Sequence, residues 1–130
     1  RRTKTNIERM KAVLRRADPL PPTYEASQAL NREFHYAMAE ASQNAVLVDL
    51  LEPLIDVQTE GASHRFDERQ CRLTWNAHKA MFDAVVAQDI AAAAHAIEQH
   101  FKVGPIALDE IAARSRVSRS SVGTRRKRKV

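Results

Sequence analysis

Residues 31–44, NREFHYAMAEASQN, constrain the fold more than any other stretch, because they set two polar side chains into the apolar stripe of a helix. Asn31 and His35 are four residues apart. In an α-helix that spacing stacks them on one face with Cβ atoms about 6 Å apart, close enough to hold one ion. Phe34, Met38 and Ala41 continue the stripe, so the pair faces a core. A buried imidazole needs a partner, and that partner is expected further along the chain.

With 130 residues the chain is long enough for one domain with its own core and too short for two. It has only three glycines, and runs such as Ala91 to Ala94 favour helix over strand, so the expected class is all-α. The single cysteine, Cys71, excludes an internal disulfide framework. With no signal peptide in view, a reducing, cytoplasmic setting is expected. No apolar run approaches ~20 residues, so no membrane span is expected. The net charge of +5 is segregated: residues 1–16 hold seven Lys/Arg against one acid, and residues 114–130 hold eight against none. The middle, 17–113, is acidic, which argues against a basic groove for nucleic acid. Arg1 in place of an initiator methionine leads to the expectation that something precedes it.

Ile7, Met10 and Leu14 recur at helical spacing within residues 2–16, giving a short amphipathic helix read as a linker. Asp18, Pro19, Pro21 and Pro22 forbid helix and form the sharpest boundary in the chain. Thr23 is the expected N-cap of the next helix, with Glu25 in its first turn and Asn44 in the turn that follows. Residues 45–58 form the most hydrophobic helix, with Leu47, Leu50, Leu51, Leu54 and Val57 expected inward and Pro53 expected to kink or break it. After Gly61, Arg65, Arg69 and Arg72 lie on a separate polar helix. Such a row is ordinarily a solvated face, and the other reading is a contribution to an anion site. Thr74 is expected to cap the following helix, where His78, Met81, Phe82 and Val85 share a face. Gln88 and Asp89 make the turn, and Asp89 caps the last strong helix, with Ile90, Ala93, Ala94, Ile97 and His100 or Phe101 inward. Ile106, Leu108 and Ile111 mark a weak final helix, and 114–130 read as a disordered basic tail.

His78 and His100 each lie about eleven residues from the Gln88–Asp89 turn, hence level with one another in an antiparallel hairpin. A lone histidine on an apolar face is ordinarily a hydrogen-bonded core residue. Three of them, His35, His78 and His100, change that reading, since neutral imidazoles with open positions suit zinc, nickel or a similar divalent transition metal. His64 and His95 are off these stripes and are expected at the surface.

The NREFH and EASQN words, His78 in WNAHKAMFDAVVAQD, and AAAAHAIEQHF resemble the C-terminal effector-binding (FCD) domain of the FadR subfamily of GntR-type transcription regulators. The resemblance runs over roughly residues 5–105. It implies an antiparallel bundle of six to seven helices enclosing a cavity, and a metal held at Asn31, His35, His78 and His100. It implies further a small carboxylate metabolite as effector, a homodimer, and operator DNA contacted through an N-terminal winged helix absent from this chain. Residues 1–16 would then be the end of an interdomain linker, 17–113 the effector-binding domain and 114–130 the tail. One departure is Asn31, where many members carry aspartate: a neutral amide oxygen is the weaker ligand. Because a carboxylate effector needs cationic partners besides the ion, Arg72 is the first candidate, followed by Arg65 and Arg69.

The resulting expectation is a non-enzymatic sensor domain. Two alternatives stay open: a helical-bundle metalloenzyme using the three-histidine ion to activate water, and a metal-free dimerisation module with packed histidines. The inward faces offer no carboxylate well placed as a general base.

Overall fold

The computed structural model describes residues 2–61 and 67–103. They form five helices and, among the described residues, no strand: α1 (Lys4–Arg16), α2 (Tyr24–Ala41), α3 (Ala45–Gly61), α4 (Glu68–Ala87) and α5 (Ile90–Val103). The all-α expectation holds. The described residues supply five of the six to seven helices expected. The weak helix expected around Ile106–Ile111 and the basic tail lie outside them.

Side chains that satisfy free backbone donors set the helix starts. At α1, Thr3 accepts from the Asn6 amide while the Asn6 side chain accepts from the Thr3 amide, a reciprocal capping box. Thr23 caps α2 as expected, accepting from the Ala26 amide at 3.1 Å. Asn44 Oδ1 accepts from Leu47 N at the start of α3, and Asp89 Oδ1 accepts from Ala92 N at the start of α5. The one misplaced start is that of α4. Asp67, not Thr74, is its N-cap, accepting from Gln70 N, and the expected separate arginine helix is the first part of α4 itself. Thr74 lies inside, its hydroxyl donating to the Gln70 carbonyl one turn back.

Helices α1 and α2 pack together, α3 packs on α2, α4 on α1, and α5 on α4 as the expected hairpin. The core is formed by Met10 and Val13 of α1, Leu30 and Phe34 of α2, and Trp75 and Phe82 of α4. Alanines 17, 37 and 41 fill the spaces between them and let the backbones approach closely. Ion pairs from Arg9 to Glu40 and from Arg16 to Glu33 stitch the outer faces of α1 and α2.

The inward faces of α3 and α5 are the expected ones only in part, at Leu51, Ala93 and His100. Leu47, Leu50 and Leu54 are exposed, Leu54 to 63%, whereas Ile55 is buried and Val48 and Leu51 are half-buried. Asp49, Glu52, Asp56 and Glu60 give α3 a polar stripe opposite Leu47, Leu51 and Leu54, but the covered positions are rotated from that leucine face toward Val48 and Ile55. The helix also runs unbroken through Pro53 despite the lost amide donor. On α5, Ile90 is 86% exposed and Ile97, Phe101 and Ala94 are exposed too, while Ala96 is buried and Ala93, His100 and Val103 are half-buried. Small Ala93 and Ala96 let α5 lie close against α4, which turns the bulkier Ile90 and Ile97 outward.

Candidate metal centre

Each of three helices supplies one histidine to a common point. His35 comes from α2, His78 from α4 and His100 from α5. One ring nitrogen from each lies within 4.8 Å of the other two. His78 and His100 have ring centroids 4.6 Å apart, level across the hairpin as the count from the turn predicts. His35 reaches in from α2, with its ring centroid 5.1 Å from that of His100, and its Nε2 lies 3.2 Å from His78 Nε2.

The surroundings are apolar and aromatic. His78 is fully buried, with the Phe34 ring 4.7 Å away on one side and the Trp75 ring 4.8 Å away, edge-on, on another. Trp75 is held by its indole N–H donating to Ser27 Oγ at 3.2 Å. At the far end, the Gln70 amide donates to the Val103 carbonyl and ties the last turn of α5 to α4. Of these supporting residues only Phe34 was singled out from the sequence. Trp75 could have been, since it stands one turn before His78 on the same stripe.

Burial disfavours the imidazolium form throughout. It pushes His35 down to about 4, with His100 nearby adding to the shift. Burial, then His35 and His100, holds His78 well below the usual range, and burial lowers His100. All three are therefore neutral near pH 7, the form that binds metal.

The donor set fits a divalent transition metal. Two nitrogens bound tetrahedrally at roughly 2.0–2.1 Å stand about 3.4 Å apart, close to the 3.2 Å between His35 and His78. His78 Nδ1 and His100 Nδ1 are buried with no hydrogen-bond partner among the described residues; an ion on His78 Nε2 leaves the Nδ1 of that same ring unsatisfied, so the fit rests on the spacing of the ring nitrogens. Asn31 sits half-buried one turn before His35 on α2. Arg72 is exposed and paired with Glu68 at 2.7 Å, on a face of α4 about 120° from that of His78. Arg69 is exposed, and Arg65 and His64 lie outside the described residues. His95 is exposed, as expected.

Metal-free protein is expected to lose stability in mild acid. Unfolded histidines take up protons near pH 6.5, whereas folded His35 resists until about 4. Between those values the unfolded state binds more protons, so stability falls as pH falls, with the loss complete below the folded value. His35 alone contributes about 3 kcal/mol to that loss. Urea unfolding of chelator-treated protein at about pH 7.5, 6 and 4.5 checks it; a midpoint that stays constant would contradict burial of neutral imidazoles.

Among the described residues no helix is long and apolar enough to cross a membrane. The FCD domain family matches residues 1–103 of the chain. No curated protein and no solved structure gives a match.

Proposed function

Because the chain belongs to the FCD family, the C-terminal domain of FadR-type regulators of the GntR family, we propose that it senses a small carboxylate at a metal held by His35, His78 and His100. An FCD domain is the effector-binding, regulatory part of a transcription regulator. The observation that carries the finer reading is the convergence of three neutral imidazoles from three helices. The Asn31 amide oxygen is the fourth protein ligand in this reading, leaving positions for the effector. When bound, a zinc or nickel ion supplies a Lewis-acidic anchor for the carboxylate. Residues 17–113 then act as the sensor in a cytoplasmic regulator, within a fuller bundle of six to seven helices that encloses the cavity. Arg69 and Arg65 are candidates for the effector's second anionic contact, whereas Arg72 lines a cleft about 120° around α4 from His78. The signal passes through residues 1–16 to a winged-helix domain on operator DNA. The exposed Leu50 and Leu54 of α3 support homodimerisation, as apolar surface a second copy can cover.

Effector control requires the ligand to bind two arrangements of the bundle unequally. His35, His78 and His100 lie on three different helices, so occupancy can shift one helix against another. Elemental analysis of purified protein before and after chelation tests the reading. About one equivalent of transition metal per chain is expected, lost on chelation, together with calorimetric binding of small di- and tricarboxylates only to the loaded form. No uptake after reloading would overturn it. That outcome would favour the metal-free packing module, in which the His35 to His78 contact at 3.2 Å is a hydrogen bond between two imidazoles.

A further inference from the structure

A second recess lies on another face of α4, between α1, the proline-rich turn and residues 68–82 of α4, with a volume of about 990 Å³. Its floor is apolar: Leu14 of α1, then Trp75 and Phe82 of α4, 5% and 9% exposed, with Pro19 and Pro22 along one wall. Its rim is cationic on both sides, with Lys11 and Arg15 on α1 facing Arg72 and Lys79 on α4. The two α4 cations are each engaged one turn away, Arg72 by Glu68 and Lys79 by Asp83. Lys11 and Arg15 are one turn apart on α1, and the structure places no acid within ion-pair distance of either among the described residues. The acids on the lining, Asp18 and Glu68, leave the rim net positive.

We propose that this cleft is a second, metal-independent binding site for a planar aromatic carboxylate, with the ring against Trp75 and Phe82 and the carboxylate between Lys11 and Arg15. Two features select that chemistry. Aromatic and proline rings form apolar walls that stack on a planar ring system. Two unneutralised cations at i and i+4 favour one anionic group at the α1 edge. The cleft is separate from the histidine cluster, yet the two share a wall, because the Trp75 ring that floors the cleft packs edge-on against His78. A ligand on Trp75 thus presses on a side chain that positions a candidate metal ligand, and any effect of one site on the other must be reciprocal.

Trp75 is the only tryptophan in the chain, so its fluorescence reports on the cleft directly. The probe is 2-naphthoate, titrated by calorimetry and by Trp75 emission into the full chain freed of metal by chelator, with neutral 2-naphthamide as the charge control. Naphthoate is expected to bind with a change in Trp75 emission, and naphthamide at least about tenfold more weakly. The Lys11→Glu/Arg15→Glu pair, both at exposed positions, is expected to weaken naphthoate about tenfold or more while leaving naphthamide unchanged. His100→Ala is expected to leave naphthoate binding intact, which separates this site from the metal reading. Equal binding of acid and amide, binding unaffected by the charge reversals, or binding that appears only on metal loading would each overturn the proposal. If the double reversal lowers helicity, Lys11→Ala/Arg15→Gln and the salt dependence of naphthoate binding take its place, and a salt-independent affinity counts against it.

Discussion

Replacing His78 by alanine is expected to abolish metal uptake while changing the stability of the metal-free protein far less. The three rings meet pairwise, with His78 the most deeply buried of them, so its loss leaves only the His35 and His100 imidazoles, two histidine ligands where three converged. A full set of about four ligands contributes roughly 10–16 kcal/mol to binding of a structural zinc, or about 3 kcal/mol each, which is a hundredfold or more in affinity. The effect on the metal-free fold is a difference of opposing terms. Removing a fully buried ring leaves a cavity, at about 2 kcal/mol or more, but it also removes an Nδ1 that is buried without a partner among the described residues, a relief of about 1–3 kcal/mol. The two nearly cancel. Metal per chain by elemental analysis, beside urea unfolding in chelator, checks both halves. A variant that still takes up one equivalent would remove His78 from the ligand set, and one that unfolds without metal would make the ring chiefly a packing element.

The histidine centre was legible because each residue had an unambiguous neighbour. His35 stands beside Phe34 on a stripe bounded by a proline-rich turn and a threonine cap, and His78 and His100 are spaced equally from an aspartate-capped turn. What failed to be legible was which part of the apolar face of α3 and of α5 meets a neighbouring helix. Leu47, Leu50, Leu51 and Leu54 satisfy a helical repeat as well as Val48, Leu51 and Ile55 do, and only the neighbour α2 decides between them. On α5 the decision rests on size, since the alanines rather than the isoleucines meet α4. The start of α4 went to Asp67 over Thr74 because both residue types cap, while only Asp67 precedes an unsatisfied amide. Arg72 shows the same limit in functional terms. Its charge was evident from sequence, but its direction, toward the α1 cleft, depended on how α4 is rotated.

Phe34→Ala is expected to be the most destabilising single truncation, at about 3–5 kcal/mol, and to weaken the histidine centre as well. Among the described residues, Phe34 and Met10 are the two large apolar side chains that are wholly buried, in a core otherwise rich in alanine. Alanines cannot expand to fill the space a lost phenyl ring leaves, so the cavity term is expected near its upper value. Against a total stability of roughly 5–15 kcal/mol, that loss lowers the melting temperature by on the order of 15 °C or more. The same ring lies 4.7 Å from His78 and is tilted only 30° to it, so its removal frees the imidazole to leave the position in which it meets His35 and His100. Phe34→Leu separates the two consequences. It retains most of the buried volume, so it should cost about 1–1.5 kcal/mol, yet it lacks the flat surface that holds His78 and should still weaken metal binding several-fold. Metal in excess, at about a hundred times its dissociation constant, should return roughly 2.7 kcal/mol to any variant that keeps the centre. Thermal melts of both variants with and without metal therefore distinguish a packing role from a positioning one: recovery in Phe34→Leu with little in Phe34→Ala is expected, and equal metal affinity in wild type and Phe34→Leu would confine Phe34 to packing.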